Sequence, residues 1–196
     1  MLPKLVTPPA ETPISLTEVK RFVQAMEFSD DDTLLNFMIA SATSYLDAYD
    51  GILGAAIVAQ TWSQSFERVC GREIEIPVVP LIQIVSVKYF DEVDVEQTFD
   101  ASNYRVHADG RRPYIKLKPG SSWPSTSDRD DAITITWQAG FGAATDVPYD
   151  IKAAMLHLIF HWYINREAVN VGQAAYEVPL SFNDLIAPIR WRYLRL

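Results

Sequence analysis

The sequence predicts an α+β fold, in which a helical bundle frame of N- and C-terminal helices carries an inserted small antiparallel β domain. Apolar residues follow helical spacing in the first quarter of the chain and again near its end. Short alternating segments separated by turn residues fill the middle. The composition, 48% hydrophobic and 21% charged over 196 residues, argues against wholesale disorder.

These patterns divide the chain into an arm, a frame in two segments, an insert and a tail. The arm is extended because residues 1–14 contain four prolines. The predicted ranges are 1–14 for the arm, 15–57 and 139–188 for the helical frame, 58–138 for the β-rich insert, and 189–196 for a basic-aromatic C-terminal tail.

The predicted helices begin at recognisable capping residues. Ser15 and Glu18 have the spacing of a capping box. A second start is expected at Ser29, where the three aspartates at 30–32 suit the positive end of a helix dipole. These aspartates lack the further ligands of a calcium loop. A third helix is expected to follow Asp146.

Seven segments of the insert have strand character. They alternate or are rich in β-branched and aromatic residues, and turn residues bound them. The segments are 61–66, 73–76, 82–90, 96–99, 104–106, 114–117 and 132–137. Strands of this length and spacing indicate a small antiparallel sandwich or barrel.

Charge and cysteine content limit the function classes. A net charge of −8 disfavours a protein that grips nucleic acid through its phosphates. Cys70 is the only cysteine, which excludes an internal disulfide and the usual zinc spacings. The first residues lack the apolar segment of a secretory signal, and no apolar stretch has the length of a membrane span. We therefore expect a soluble protein made inside the cell, without membrane contact.

Several side chains have the type of a catalytic or metal-binding group, but none completes a motif. His157 and His161 lie four apart on one helix, yet the Glu of a zinc-protease motif and a third ligand are missing. The acids Glu73 and Glu75 are explained by the solvated face of an edge strand, and Cys70 by a turn. We predict no catalytic residue, no cofactor and no metal.

Trp123 lies in a serine- and proline-rich loop and has two interpretations. An exposed tryptophan docks on a partner or stacks on a sugar. The alternative is a ring folded back over the edge of the sheet. The first interpretation keeps open a carbohydrate-binding or hydrolytic protein that uses the β insert. A general interaction module is a further alternative.

Motifs along the whole chain resemble those of one known family and occur in the same order. They lie at 13–20, 61–81, 85–91, 104–106, 119–124 (PGSSWP), 139–154 and 161–167 (HWYINRE). On these motifs the sequence resembles the head–tail connector, or adaptor, family of siphophages, prophages and gene transfer agents. It departs from the family pattern at Phe141, at Ile164 and in its long basic-aromatic tail.

The resemblance implies a structural protein located in the virion at the head–tail interface, and in the bacterial cytoplasm during assembly. It implies self-association into a ring, twelve-fold by expectation, beneath the portal protein. The other expected partner is a tail-side connector, either a stopper or a tail terminator. DNA passes through such a ring without specific binding, and a net charge of −8 agrees with that.

The C-terminal tail is the predicted contact with the portal. It combines arginine, tryptophan and tyrosine, the residue types enriched in binding hot spots. The interface residues of this hypothesis are Arg190, Trp191, Arg192, Tyr193, Leu194 and Arg195 in the tail, together with Trp123. The alternative is a solvated, disordered tail.

Overall fold

A computed structural model describes residues 1–110, 112–165 and 180–190 of the chain, with side chains from 182 onward in the last range. Its helices are α1 (Leu16–Phe22), α2 (Asp32–Leu46), α3 (Tyr149–Ile164) and α4 (Leu180–Ile186). Its strands are β1 (Lys4–Thr7), β2 (Gln60–Phe66), β3 (Glu73–Glu75), β4 (Leu81–Phe90), β5 (Glu96–Thr98), β6 (Tyr104–His107), β7 (Tyr114–Leu117) and β8 (Ile133–Ala139). This combination confirms the α+β class.

Helix α1 begins with the predicted capping box. The Ser15 hydroxyl oxygen accepts a hydrogen bond from the Glu18 backbone N–H at 3.2 Å. The Glu18 carboxylate in turn accepts from the Ser15 backbone N–H at 2.7 Å. Two N–H groups at the helix start are therefore satisfied locally.

Helix α2 begins at Asp32, three residues after the predicted start, and its aspartates act differently from expectation. Asp31 is the N-cap residue but makes no side-chain cap. Its carboxylate accepts a hydrogen bond from the Tyr163 hydroxyl of α3 at 2.6 Å. Asp32 forms a 2.7 Å ion pair with Lys20 of α1. These acids therefore join α2 to its neighbours as well as lying at the positive end of the helix.

The strands form two antiparallel sheets. The larger has the order β1-β2-β8-β4-β5, and the smaller has the order β3-β7-β6. Central strand β8 shows strict alternation, with Ile133, Ile135, Trp137 and Ala139 buried. All seven predicted segments contain a strand. The predicted arm contributes an eighth, because β1 pairs along the exposed edge of β2.

Buried apolar residues form two clusters. One is formed by all four helices and includes Leu35, Leu46, Met155 and Phe182. The other lies between the two sheets and includes Trp137. The helical and β portions thus have separate packed interiors.

Asp47 and Gly140 hold the two portions together. Asp47, directly after α2, accepts a hydrogen bond from the Ile57 backbone N–H at 2.7 Å and another from the Gln60 side-chain amide at 2.9 Å. Gly140, directly after β8, has φ +133°. A Cβ there would lie 2.6 Å from the Val58 carbonyl carbon, so only glycine fits.

Some predictions fall outside the described residues. These are the polar loop at 168–178 and the tail residues at 191–196. The predicted domain ranges stay predictions. Within the described segments, no helix is long and apolar enough to cross a membrane.

Candidate interaction surfaces

Trp123 is folded against the small sheet. Its indole N–H donates to the Gly71 carbonyl at 3.1 Å, and its ring lies 5.3 Å from that of Phe99. It packs on the edge of the β core and is half-buried. Much of the indole is therefore in contact with its own chain. Its role at a partner interface stays a prediction.

The C-terminal tail starts from a packed position. Ile189 packs on the helical core, and the Arg190 backbone N–H donates to the Ile186 carbonyl at 3.0 Å. The Arg190 Nε is buried, with no hydrogen-bond acceptor among the described residues. The other predicted interface residues of the tail, at 191–195, lie outside the described residues.

The two histidines of α3 make ordinary packing contacts. The His157 ring lies edge-on to Phe22 at 5.5 Å, and His161 lies beside Asn165. Among the described residues, no group of three or more His, Cys, Asp and Glu side chains is placed to hold a metal ion.

The two acids of β3 and the single cysteine lie on the surface. Glu73 pairs with Lys116 at 2.5 Å across the small sheet, and Glu75 lies opposite Tyr114 in the strand register. Cys70 is exposed. The hydrogen bond between Glu73 and Lys116 raises the pKa of the lysine.

A basic concavity on the small sheet was not predicted from the sequence. It is open to solvent, with a volume of about 570 Å³. Its lining residues are Arg72, Arg105, His107, Tyr114, Lys116, Leu117, Lys118 and Pro119. The His107 and Tyr114 rings stack with centroids 4.5 Å apart. The alternating cations at 116 and 118 were visible in the sequence, but the pairing of β7 with both β6 and β3 was needed to bring Arg105 and Arg72 beside them.

The cations of this concavity are held in different ways. One Arg72 nitrogen donates to the Leu117 and Lys118 carbonyls at 3.2 and 2.6 Å. Lys118 lies close enough to Asp100 to lower the pKa of that carboxyl, after larger effects from Ser102. Arg105 is exposed and makes no ion pair with a described residue.

A second charged surface is the acidic hairpin, which we define as residues 91–96, from the end of β4 to the first residue of β5. It holds four carboxylates and no cation in six residues. Asp91 accepts hydrogen bonds from the Val93 and Val95 backbone N–H groups at 3.1 and 3.0 Å. With a bond from Gln97, these lower the pKa of the Asp91 carboxyl. The turn is therefore ordered and charged.

The outer face of α2 is exposed and carries no charge. No charged residue occurs from Thr33 to Leu46. Phe37 on this face is 70% exposed. Tyr45 of the same helix is 45% exposed. Scattered exposed apolar side chains are common on protein surfaces, so this face alone identifies no partner.

Comparison with known proteins finds a shared fold. No family model matches the sequence, and no curated protein matches it. A chain from the neck of an empty gene transfer agent particle, computed with C6 symmetry, superposes with a TM-score of 0.77 at 22% identity. A chain from the virion of a native gene transfer agent particle gives 0.78 at 22% identity. A chain from the neck of a native particle, computed with C12 symmetry, gives 0.69 at 20% identity.

The similarity extends over whole chains. Each alignment covers 100% of this chain and 97% of the other. Both the helices and the β strands are therefore part of the shared architecture. At this level of identity, the similarity shows the fold.

Proposed function

We propose that the chain is a non-enzymatic neck protein of a phage-like particle, and specifically the adaptor that joins the portal to the tail. The observation that carries the proposal is the full-length similarity to chains from gene transfer agent necks and virions. The family-like motifs of the sequence support the same role independently.

The proposed architecture is a helical frame that carries a β insert. Two separate hydrophobic clusters support this division. In the proposed assembly, copies form a ring beneath the portal, and a tail-side connector binds on the opposite side. The C6 and C12 symmetries of the similar necks support a dodecamer. DNA passes through this ring, and a net charge of −8 on each copy weakens adhesion to phosphates.

No observation favours the carbohydrate-binding alternative. It depended on an exposed Trp123, and that indole is hydrogen-bonded to Gly71 and packed on Phe99.

Omission of this chain from particle assembly tests the proposed function. We expect heads that package DNA but carry no tails, and we expect purified chain added to those heads to restore tail attachment. Electron microscopy and infectivity, or gene transfer, provide the readouts. Normal tailed particles formed without this chain would contradict the proposal.

Contact with the portal through the tail requires a separate test. Truncation after Arg190 is preferable to truncation after Pro188, because Ile189 packs on the helical core. We expect a folded protein that no longer attaches to portal-containing heads. The control is a full-length variant in which Arg192 and Arg195 become lysine, which keeps the charge of the tail. Normal attachment of the truncated chain would disprove this contact.

A further inference from the structure

The basic concavity stands out in an acidic protein. Arg72, Arg105, Lys116 and Lys118 converge on one opening in a chain whose net charge is −8. Tyr114 and Pro119 add apolar surface to the same opening. The concavity therefore combines positive charge with an apolar wall.

The strand register places like charges opposite each other at this opening. Arg105 of β6 is the direct partner of Lys116 of β7. Like charges directly opposite in a sheet destabilise it. Glu73 lies on the other side of Lys116 and pairs with it, which leaves the Arg105 charge uncompensated. Arg105 is therefore a charge of this opening that an external anionic group would compensate.

The acidic hairpin has the complementary properties. Val93 at its tip is 78% exposed, and Val95 is 50% exposed, so the acids alternate with apolar side chains. Asp94 adopts a left-handed backbone with φ 64°, and it accepts a 2.9 Å hydrogen bond from Arg129. The hairpin is therefore an exposed turn that is braced by Arg129, with negative charge and a valine at its tip.

The acids of the hairpin do not pair with the cations of the concavity within the described part of one chain. The cations that pair with acids of the hairpin are Lys88 and Arg129. Neither of these lines the concavity. Among the described residues, the hairpin makes no ion pair with a cation of the concavity. Glu92 of the hairpin and Arg105 of the concavity are exposed and make no ion pair with a described residue, so both charges can contact another molecule.

We propose that the acidic hairpin of one copy docks into the basic concavity of the next copy. This contact rests on the ring assembly in the proposed function and names the surfaces that build it. Ring closure requires two different faces on each subunit, and the hairpin and the concavity are two such faces. Copies that each carry −8 repel one another, so cations placed against the acids of a neighbour offset that repulsion. The same net charge disfavours DNA as the occupant.

Disulfide trapping tests the contact. In a Cys70→Ser background, one variant carries both Val93→Cys at the hairpin tip and Pro119→Cys at the edge of the concavity. The matched control carries Val93→Cys and Thr17→Cys, which places the second thiol at an exposed position on α1. Mild oxidation of the full chain at high concentration, and of particles that contain it, is followed by non-reducing electrophoresis. We expect a ladder of linked copies for the first variant only.

A charge exchange tests the electrostatic part of the contact. In the trapping background, Arg105→Glu should lower the yield of linked copies about tenfold, as should Glu92→Arg. The combination of both substitutions should restore most of the yield. Arg21→Glu makes the same charge change on α1 and should leave the yield unchanged. Thermal melting of each variant checks that the fold is intact.

The outcomes separate this contact from the proposed function. A chain that enters the neck but links no better than the control contradicts the contact and leaves the function standing. A chain that links in solution but never enters the neck supports the contact and contradicts the function. If wild-type chain binds duplex DNA, Arg105→Glu abolishes that binding, and DNA prevents linking, then nucleic acid occupies the concavity and the contact is wrong.

Discussion

Asp47 joins the helical and β portions, and its replacement should weaken the whole protein. Its carboxylate accepts hydrogen bonds from the Ile57 backbone N–H and from the Gln60 amide, and Gln60 is only 2% exposed. Burial raises the pKa of Asp47 above its usual 3.8, while the bonds from Gln60 and Ile57 oppose that rise. The group is thus a partly desolvated carboxylate with two donors, neither of which has another acceptor among the described residues.

Asp47→Ala leaves both donors unsatisfied. An orphaned buried donor costs about 1–3 kcal/mol, so two cost roughly 2–6 kcal/mol. Removal of a desolvated charge offsets part of this cost, because burial disfavours the ionised carboxylate. We expect a net loss of about 2–4 kcal/mol in the free energy of unfolding. For a protein of this size, that lowers Tm by roughly 5–15 °C.

Asp47→Asn is the matched control. Its side-chain oxygen keeps an acceptor for Ile57, so the loss should be clearly smaller than for alanine. Because the pKa of Asp47 is raised in the folded state, the folded chain takes up the proton first as pH falls. The Asp47 contribution to wild-type stability should therefore increase as pH falls from 7 toward the unfolded pKa of 3.8, and the asparagine variant should lack this increase.

Denaturant unfolding followed by circular dichroism measures these differences. An alanine variant with the wild-type midpoint would refute the reasoning. So would an asparagine variant as unstable as alanine.

Three other substitutions test local features. Gly140→Ala should lose about 2–5 kcal/mol, because φ +133° is strained for alanine and its Cβ would meet the Val58 carbonyl carbon at 2.6 Å; a soluble variant with unchanged Tm would contradict this. Ser15→Ala should lower the free energy of unfolding by about 0.5–2 kcal/mol in the same assay. An unchanged free energy of unfolding would show that the cap does not stabilise the protein. Hydrogen bonds from the Ser15 backbone and hydroxyl lower the pKa of Glu18. The contribution of Glu18 to the free energy of unfolding should therefore disappear as pH falls below 4.5, the usual pKa of a glutamate. Glu18→Gln should remove that pH dependence.

Features of the fold that depend on nearby residues could be predicted from the sequence. The capping box of Ser15 and Glu18 requires only four residues of chain. Strand β8 alternates so regularly that its buried face is visible in the sequence. Short-range patterns of this kind specify an element before any tertiary contact forms.

Features that depend on distant pairing could not be predicted. All four residues of strand β1 are exposed, so no alternation marks it in the sequence. It is a strand because it pairs with β2, where Lys4 lies opposite Ser63. The start of α2 is fixed partly by the hydroxyl of Tyr163, far along the chain. The basic concavity draws on β6 and β7 and on Arg72 beside β3, so only the strand register assembles it.

Cryo-electron microscopy of the particle that contains this chain tests the central claim most directly. We predict a ring of twelve copies of this chain between the portal and the first tail-side protein. In this ring, the acidic hairpin of each copy docks into the basic concavity of its neighbour. Density for the chain elsewhere in the particle, or a complete neck without it, would contradict the account.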